Sequence, residues 1–186
     1  FYENHVPFVF NDYLCLVNDP RKEHPYNKLY TVKYLGNVLD GNKVKYLNLP
    51  IDRIKELTLN TLKTNKSVWY GCDVGQFLNK FNCRMDRNNI NYLGLLDVSF
   101  ELNKEDRIRY RDSLMTHAMV ITGANIQKNV SSITNTENET VDIWQIENSW
   151  SDKGLLQGYY TMTDKWFDEY TYEVVIDKKY LNKKLL

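Results

Sequence analysis

Two strand-like stretches, each carrying a polar side chain that would need a partner in a buried strand, constrain this chain more than any other feature. Residues Thr116–Ile121 and Trp144–Trp150 have the composition of buried β-strands, and they carry His117 and Asn148. An apolar strand does not hold such groups without a partner. An imidazole beside an amide oxygen is the base and the orienting group of a thiol or hydroxyl nucleophile site, because the amide fixes the ring tautomer. A core histidine with a satisfied hydrogen bond is the alternative.

Composition restricts the setting in which such a site would work. The chain has 186 residues, enough for one domain or for half of a two-lobed one, and it carries 24 basic and 24 acidic residues. A formal charge of zero provides no general attraction to nucleic acid or anionic lipid. Three cysteines, an odd number, argue against a disulfide framework and favour a reducing, cytosolic compartment. No leader or membrane-spanning stretch is recognisable in the sequence.

The remaining patterns predict an α+β fold. Helices are expected over about four turns after Pro50, over 103–112 behind the cap Asn103, and as a turn capped by Asp164. Asp40-Gly41-Asn42 predicts a hairpin between two of the strands. Further strands are expected at 13–17, 29–38, 43–49, 68–74, 159–162 and 172–176.

Two polar segments are expected to be unstructured. Residues 127–140 hold almost nothing to bury and predict an exposed, mobile connection between the His117 and Asn148 strands. Residues 177–186 predict a solvated basic tail, and contact of its lysines with phosphate is a weaker reading. The histidines and cysteines lack the close pairings of a zinc site, and no glycine-rich phosphate loop is present, so no metal or cofactor is expected.

The segments around the two polar residues resemble a known family. Thr116-His117-Ala118-Met119 and Glu147-Asn148-Ser149-Trp150 resemble the histidine and asparagine segments of papain-like cysteine peptidases. The chain from Phe1 to about Asp177 is similar to the C-terminal part of the bleomycin hydrolase family, also called aminopeptidase C. The segments that carry this similarity are Val17-Asn18-Asp19-Pro20-Arg21, Tyr26 to Val32, Val68 to Gly75 and Met162 to Phe167.

This resemblance implies a fold and an activity. The fold would be a papain-like C-terminal lobe, an antiparallel sheet or partial barrel with two or three helices. The activity would be that of a cytosolic thiol aminopeptidase, built as a homohexamer, that removes amino-terminal residues from peptides. His117 would be the general base, Asn148 would accept the other ring proton, and Trp150 would cover their hydrogen bond and keep water away.

The nucleophile of that family is not recognisable here. The family has a Gln followed after five residues by Cys-Trp, whereas Cys15, Cys72 and Cys83 all lie in other contexts. The sequence therefore predicts that residues 1–186 are the single His/Asn-bearing domain at the C-terminal end of a peptidase. On this view the chain is inert without a preceding Cys-bearing segment. The alternative is a non-catalytic assembly module with the same fold.

Overall fold

A ten-stranded sheet organises the molecule. The computed structural model describes residues 2–6, 9–36, 38–99, 102–130, 137–150 and 156–182. The strand order is β2-β3-β1-β10-β4-β7-β8-β9-β6-β5, and neighbours are antiparallel except for the parallel pairs β1–β3 and β6–β9. The strands are β1 (Tyr13–Val17), β2 (Lys28–Tyr30), β3 (Tyr46–Asn48), β4 (Val68–Cys72), β5 (Leu78–Asn79), β6 (Arg84–Met85), β7 (His117–Val130), β8 (Glu137–Glu147), β9 (Tyr159–Thr163) and β10 (Thr171–Asp177).

Three helices of seven or more residues accompany the sheet in the described residues, with two shorter ones. The longest, α2, has 12 residues, and none of the described helices is long and apolar enough to cross a membrane. The α+β class predicted from the sequence is confirmed. The helices are α1 (Tyr2–His5), α2 (Ile51–Leu62), α3 (Tyr92–Leu96), α4 (Lys104–Tyr110) and α5 (Asp164–Tyr170).

The helix predicted after Pro50 is α2, and its buried face follows the helical period. Ile54, Leu57, Thr58 and Thr61 are its buried residues, spaced three and four apart. The sequence predicted this helix from the apolar residues Ile51, Ile54, Leu57, Leu59 and Leu62, and the two threonines were not part of that set. Their hydroxyls donate to the carbonyls of Ile54 and Leu57 one turn earlier, which satisfies them inside the core.

Helix α5 shows that the sheet curls around the core. This helix contacts β8 and β9 and also β10, although β4 and β7 separate those strands in the sheet order. Its Trp166 and Phe167 are fully buried beside Trp144 of β8. The indole N–H of Trp144 donates to Asp164 at 3.0 Å and that of Trp166 donates to the Gln76 carbonyl at 2.7 Å, so the buried rings leave no orphan donor.

The long β7–β8 hairpin differs from the sequence-based expectation. Residues 127–140 were predicted as a mobile connection, but β7 continues to Val130 and β8 begins at Glu137. Backbone pairing requires no apolar side chains, so the polar composition of this segment hid the strands. Strand β7 also does not end at Ile121, the last residue of the predicted stretch, but continues through a register shift between Ile121 and Gly123. The tip of the predicted loop, residues 131–136, lies outside the described residues.

Three smaller predictions are also corrected. The hairpin around Asp40-Gly41-Asn42 keeps only three residues in each strand, β2 and β3. Thr163, rather than Asp164, caps α5, because its hydroxyl accepts the Trp166 N–H. The predicted solvated tail packs in part: Leu181 is buried, and Tyr180 packs against the core and contacts Thr64.

Candidate active site

The predicted site residues lie at the same end of two inward-facing rows of side chains. Ile121 and Met119 of β7 are buried, and His117 continues their alternation at the first residue of that strand. Ile146 of β8 pairs directly with Ile121 and faces the same side. Asn148 continues the β8 row just beyond Glu147, where the strand ends, and not within the strand as the sequence suggested. The two polar groups therefore follow their apolar rows to a common edge.

A hydrogen bond joins the two residues at this edge. The imidazole Nε2 of His117 lies 3.0 Å from Oδ1 of Asn148. An amide oxygen only accepts, so this bond places the ring proton on Nε2 and leaves Nδ1 as the basic nitrogen. Among the residues that the structure describes, Nδ1 of His117 has no hydrogen-bond partner. The ring is thus held at one nitrogen and available at the other.

Asn148 is held more firmly than its position after a strand end suggests. It is 8% exposed, and its backbone N–H donates to the Gly158 carbonyl at 2.9 Å. This bond ties the residue to the start of β9. Its side-chain Nδ2 is buried and has no partner within the described part of the chain. The amide therefore uses its acceptor for His117 and keeps a spare donor.

Trp150 stacks on the imidazole. The ring centroids of Trp150 and His117 are 4.9 Å apart with an interplanar angle of 28°, and Tyr160 meets Trp150 edge-on at 6.0 Å. The sequence predicted a buried indole at this position, but the indole is 41% exposed. Lys80, which the sequence did not single out, places its ammonium 5.4 Å from the Trp150 centroid. The stack covers one side of the imidazole and leaves the site open to solvent.

None of the three cysteines supplies an activated thiol. Cys72 pairs with His117 across β4 and β7, but it is fully buried, and burial raises the pKa of its thiol. Burial also raises the pKa of Cys15, reinforced by the carboxylate of Glu173 that its sulfur contacts at 3.4 Å. Cys83 is buried, and its sulfur faces the Lys80 carbonyl. A thiolate is therefore not available beside the imidazole within this chain.

Comparison with known proteins assigns the family. The model of the Peptidase C1-like family matches residues 1–186. This chain belongs to the Peptidase C1-like family. The resemblance read from the sequence is confirmed by bleomycin hydrolase of Mus musculus, 44% identical over 189 residues, and by aminopeptidase C of Listeria innocua, 40% identical over 190 residues. Each alignment covers 100% of this chain and 40% of the relative.

A solved structure supports the assignment of the fold. PepW of Lactobacillus rhamnosis HN001 superposes with a TM-score of 0.88 at 39% identity, over 100% of this chain and 39% of that one. The papain-like architecture predicted from the sequence is therefore confirmed. The chain spans about 40% of the length of the curated relatives it matches, so these Peptidase C1-like residues correspond to part of such a protein.

Proposed function

We propose that this Peptidase C1-like chain supplies the general base and its orienting amide to a cysteine aminopeptidase of the bleomycin hydrolase type. The observation that carries the proposal is the 3.0 Å contact between Nε2 of His117 and Oδ1 of Asn148. It is formed without any nucleophile and leaves Nδ1 free to receive a thiol proton. A lobe kept only for assembly would not need this arrangement, so the pair favours catalysis over a non-catalytic module.

The nucleophile in this proposal comes from a segment outside the 186 residues. Its thiol would transfer a proton to Nδ1 of His117, and the thiolate would attack the peptide carbonyl carbon. The imidazolium would then return the proton to the leaving amine, and water activated by the same imidazole would release the acyl group. Asn148 would hold the ring through both proton transfers, and Trp150 would restrict water around the hydrogen bond.

Exposed apolar side chains beside the site support a covering segment. Leu114 and Met115 lie three and two residues before His117 and are 57% and 50% exposed. A cysteine-bearing partner that packs on this surface would cover these groups and bring its thiol to Nδ1 in one docking event.

The remaining features of the proposal concern setting and assembly. A reducing cytosol fits three unpaired cysteines, and peptides with free amino termini are the proposed substrates. Helix α3 presents Leu93, Leu95 and Leu96 to solvent, and we assign this surface to contacts between subunits of a homohexamer. No cofactor takes part in the proposed reaction.

Expression of the full-length protein tests the function directly. We expect it to release amino-terminal residues from a peptide with a free amino group and to leave the same peptide with an acetylated terminus uncut. The 186-residue chain alone is the matched control and should give no turnover. A full-length protein that contains a cysteine in the site, folds, and releases nothing would contradict the proposal and favour the assembly module.

A further inference from the structure

The carboxylate of Asp73 is a buried hub next to the start of β7. Asp73 follows β4 directly and is 6% exposed. Four groups donate hydrogen bonds to its carboxylate, three to Oδ2 and one to Oδ1. The donors are Gln76 Nε2 at 3.1 Å, Ser113 Oγ at 2.8 Å, Leu114 N at 3.3 Å and Thr116 Oγ1 at 3.2 Å.

Three of these four donors come from the short segment that leads into His117. Ser113 and Leu114 bond to Oδ2 of Asp73, and Thr116 bonds to Oδ1. The backbone N–H of Thr116 also donates to the Cys72 carbonyl at 2.9 Å. Residues 113–116 are therefore attached to the end of β4 by both side-chain and backbone bonds. We call the three bonds from Ser113, Leu114 and Thr116 to Asp73 the aspartate clamp.

The rest of the sheet supports His117 on one side only. His117 is the first residue of β7 and pairs with Cys72 of β4. The pairing between β7 and β8 begins only at Val120, so β8 does not hold the backbone at His117. The direction in which the imidazole leaves the backbone thus depends on β4 and on the segment 113–116, which the aspartate clamp holds.

The donors around Asp73 bond more strongly to a carboxylate than to a neutral side chain. An ionised aspartate only accepts hydrogen bonds, with room for about four, and here four donors point at it. An asparagine could place its N–H₂ group only towards Thr116, whose hydroxyl would have to accept instead of donate. The three donors on Oδ2 would then bond to a neutral amide oxygen, a weaker acceptor than a carboxylate. Ser113 would have little freedom to adapt, because its oxygen already accepts the Tyr172 hydroxyl at 2.6 Å.

We propose that Asp73 is a positioning residue for catalysis: its clamp on residues 113–116 fixes the backbone from which His117 reaches Asn148. This inference rests on the proposed function. Asp73 itself touches neither imidazole nor substrate in this assignment, since it is buried behind the segment that it holds. Loss of the clamp would shift the imidazole by a fraction of an ångström to about 1 Å, and a 1 Å misplacement can lower a rate by about 10²-fold.

The test uses the full-length protein with Asp73→Asn, Thr116→Val and Thr116→Ser. We expect Asp73→Asn to lower kcat by about 10–10²-fold with KM within twofold, because ring placement changes while substrate contacts do not. Thr116→Val removes only the donor nearest His117 and should lower kcat less, in the same direction. Thr116→Ser keeps the hydroxyl and should restore most of the rate.

Asp177→Asn is the matched control, since Asp177 lies at the opposite end of β10 from Thr171, the residue that pairs with Cys72. It also caps a turn through the Lys179 N–H, which an asparagine can do equally well. Its kcat should stay within twofold of the unaltered protein. Thermal unfolding of all variants shows whether any rate change follows loss of folded protein.

A second measurement is independent of turnover. The Nε2 proton of His117, bonded to Asn148, should give a slowly exchanging ¹H–¹⁵N signal that shifts or broadens in Asp73→Asn and persists in Asp177→Asn. An unchanged signal together with unchanged kcat in both Asp73→Asn and Thr116→Val would overturn the inference. If the unaltered protein shows no aminopeptidase activity, the proposed function fails, and the signal alone then decides whether the clamp positions the ring.

Discussion

Two histidine–asparagine clusters occur among the residues that the structure describes, and they differ in how fully the asparagine amide is used. In the first, which we call the closed cluster, Asn48 is fully buried and uses its whole amide: Oδ1 accepts the Asp19 N–H, and Nδ2 donates to the carbonyls of Asp19 and His24. Nδ1 of His24 lies 2.5 Å from the Asp19 carboxylate, which Arg21 also contacts. These bonds fasten the loop between β1 and β2.

The second, or open, cluster consists of His117, Asn148 and Trp150. Its amide makes one side-chain bond within the described residues, its buried Nδ2 has no partner there, and the imidazole offers Nδ1 to the outside. Residue types alone do not separate the two clusters. The difference lies in the hydrogen bonds of the two amides: Asn48 uses its oxygen and both N–H groups within its cluster, whereas Asn148 keeps a buried donor for a group that arrives later.

The largest test of this contrast exchanges the two histidines for alanine in the full-length protein. His117→Ala should lower kcat/KM by about 10²–10⁴-fold, the range for loss of a general base. His24→Ala should leave the value within twofold and lower thermal stability slightly. The assay is release of the amino-terminal residue from a peptide. Retained activity in His117→Ala would remove the distinction between the clusters.

Exchange of the two asparagines should give opposite effects on stability and activity. Asn48→Ala leaves up to three partly buried backbone groups without their partners and should reduce the free energy of unfolding by about 3 kcal/mol. Asn148→Ala removes one side-chain bond and should cost about 1 kcal/mol in stability, yet lower kcat/KM about tenfold. Urea unfolding and peptide assays would show whether Asn48→Ala loses more stability and Asn148→Ala loses more activity. Equal losses in the two variants would contradict this prediction.

The smallest expected effect concerns pH and the closed cluster. Burial alone would raise the pKa of the Asp19 carboxyl, but hydrogen bonds from Arg21 and His24 outweigh burial and hold that pKa below its usual value. A depressed carboxyl pKa stabilises the fold above the unfolded pKa of about 3.9, and the contribution disappears as pH falls through the folded value.

Asp19→Asn should therefore lower the free energy of unfolding by about 1 kcal/mol at pH 7, and the difference from the unaltered protein should shrink below pH 4. Unfolding midpoints measured at both pH values check this sign. A difference that grows on acidification would show that Asp19 is not held as a carboxylate in the folded protein.

The open cluster could be found from the sequence because it breaks a pattern. Alternation in β7 and β8 predicts which positions face inward, and a histidine and an asparagine at such positions are anomalies that need a partner. The helix after Pro50 could be predicted for a similar reason, since its apolar residues recur at the helical period. Burial of one face produces a periodic pattern of apolar residues in the sequence, and both features depend on such burial.

Features that depend on polar contacts between residues far apart in the sequence produce no such periodic pattern. The ends of β7 and β8 form a ladder of polar residues whose backbone bonds no side-chain period records. Asp73 and its donor Ser113 are 40 residues apart, and Asp73 differs little in sequence from any acidic residue after a strand. Asp19 and Asn48 are joined over a comparable gap of 29 residues. Such partners become evident only in three dimensions.

The withdrawal of all three native cysteines from reactive positions has a practical consequence. Cys72 and Cys83 are buried, and the thiol of Cys15 is held against Glu173 with a raised pKa. Thiol-directed electrophiles such as epoxides should therefore label almost none of the cysteines of this chain. In an assembled peptidase, such a probe would label the cysteine of the added segment with little background from this chain. Mass spectrometry of the labelled protein would then count the occupied sites.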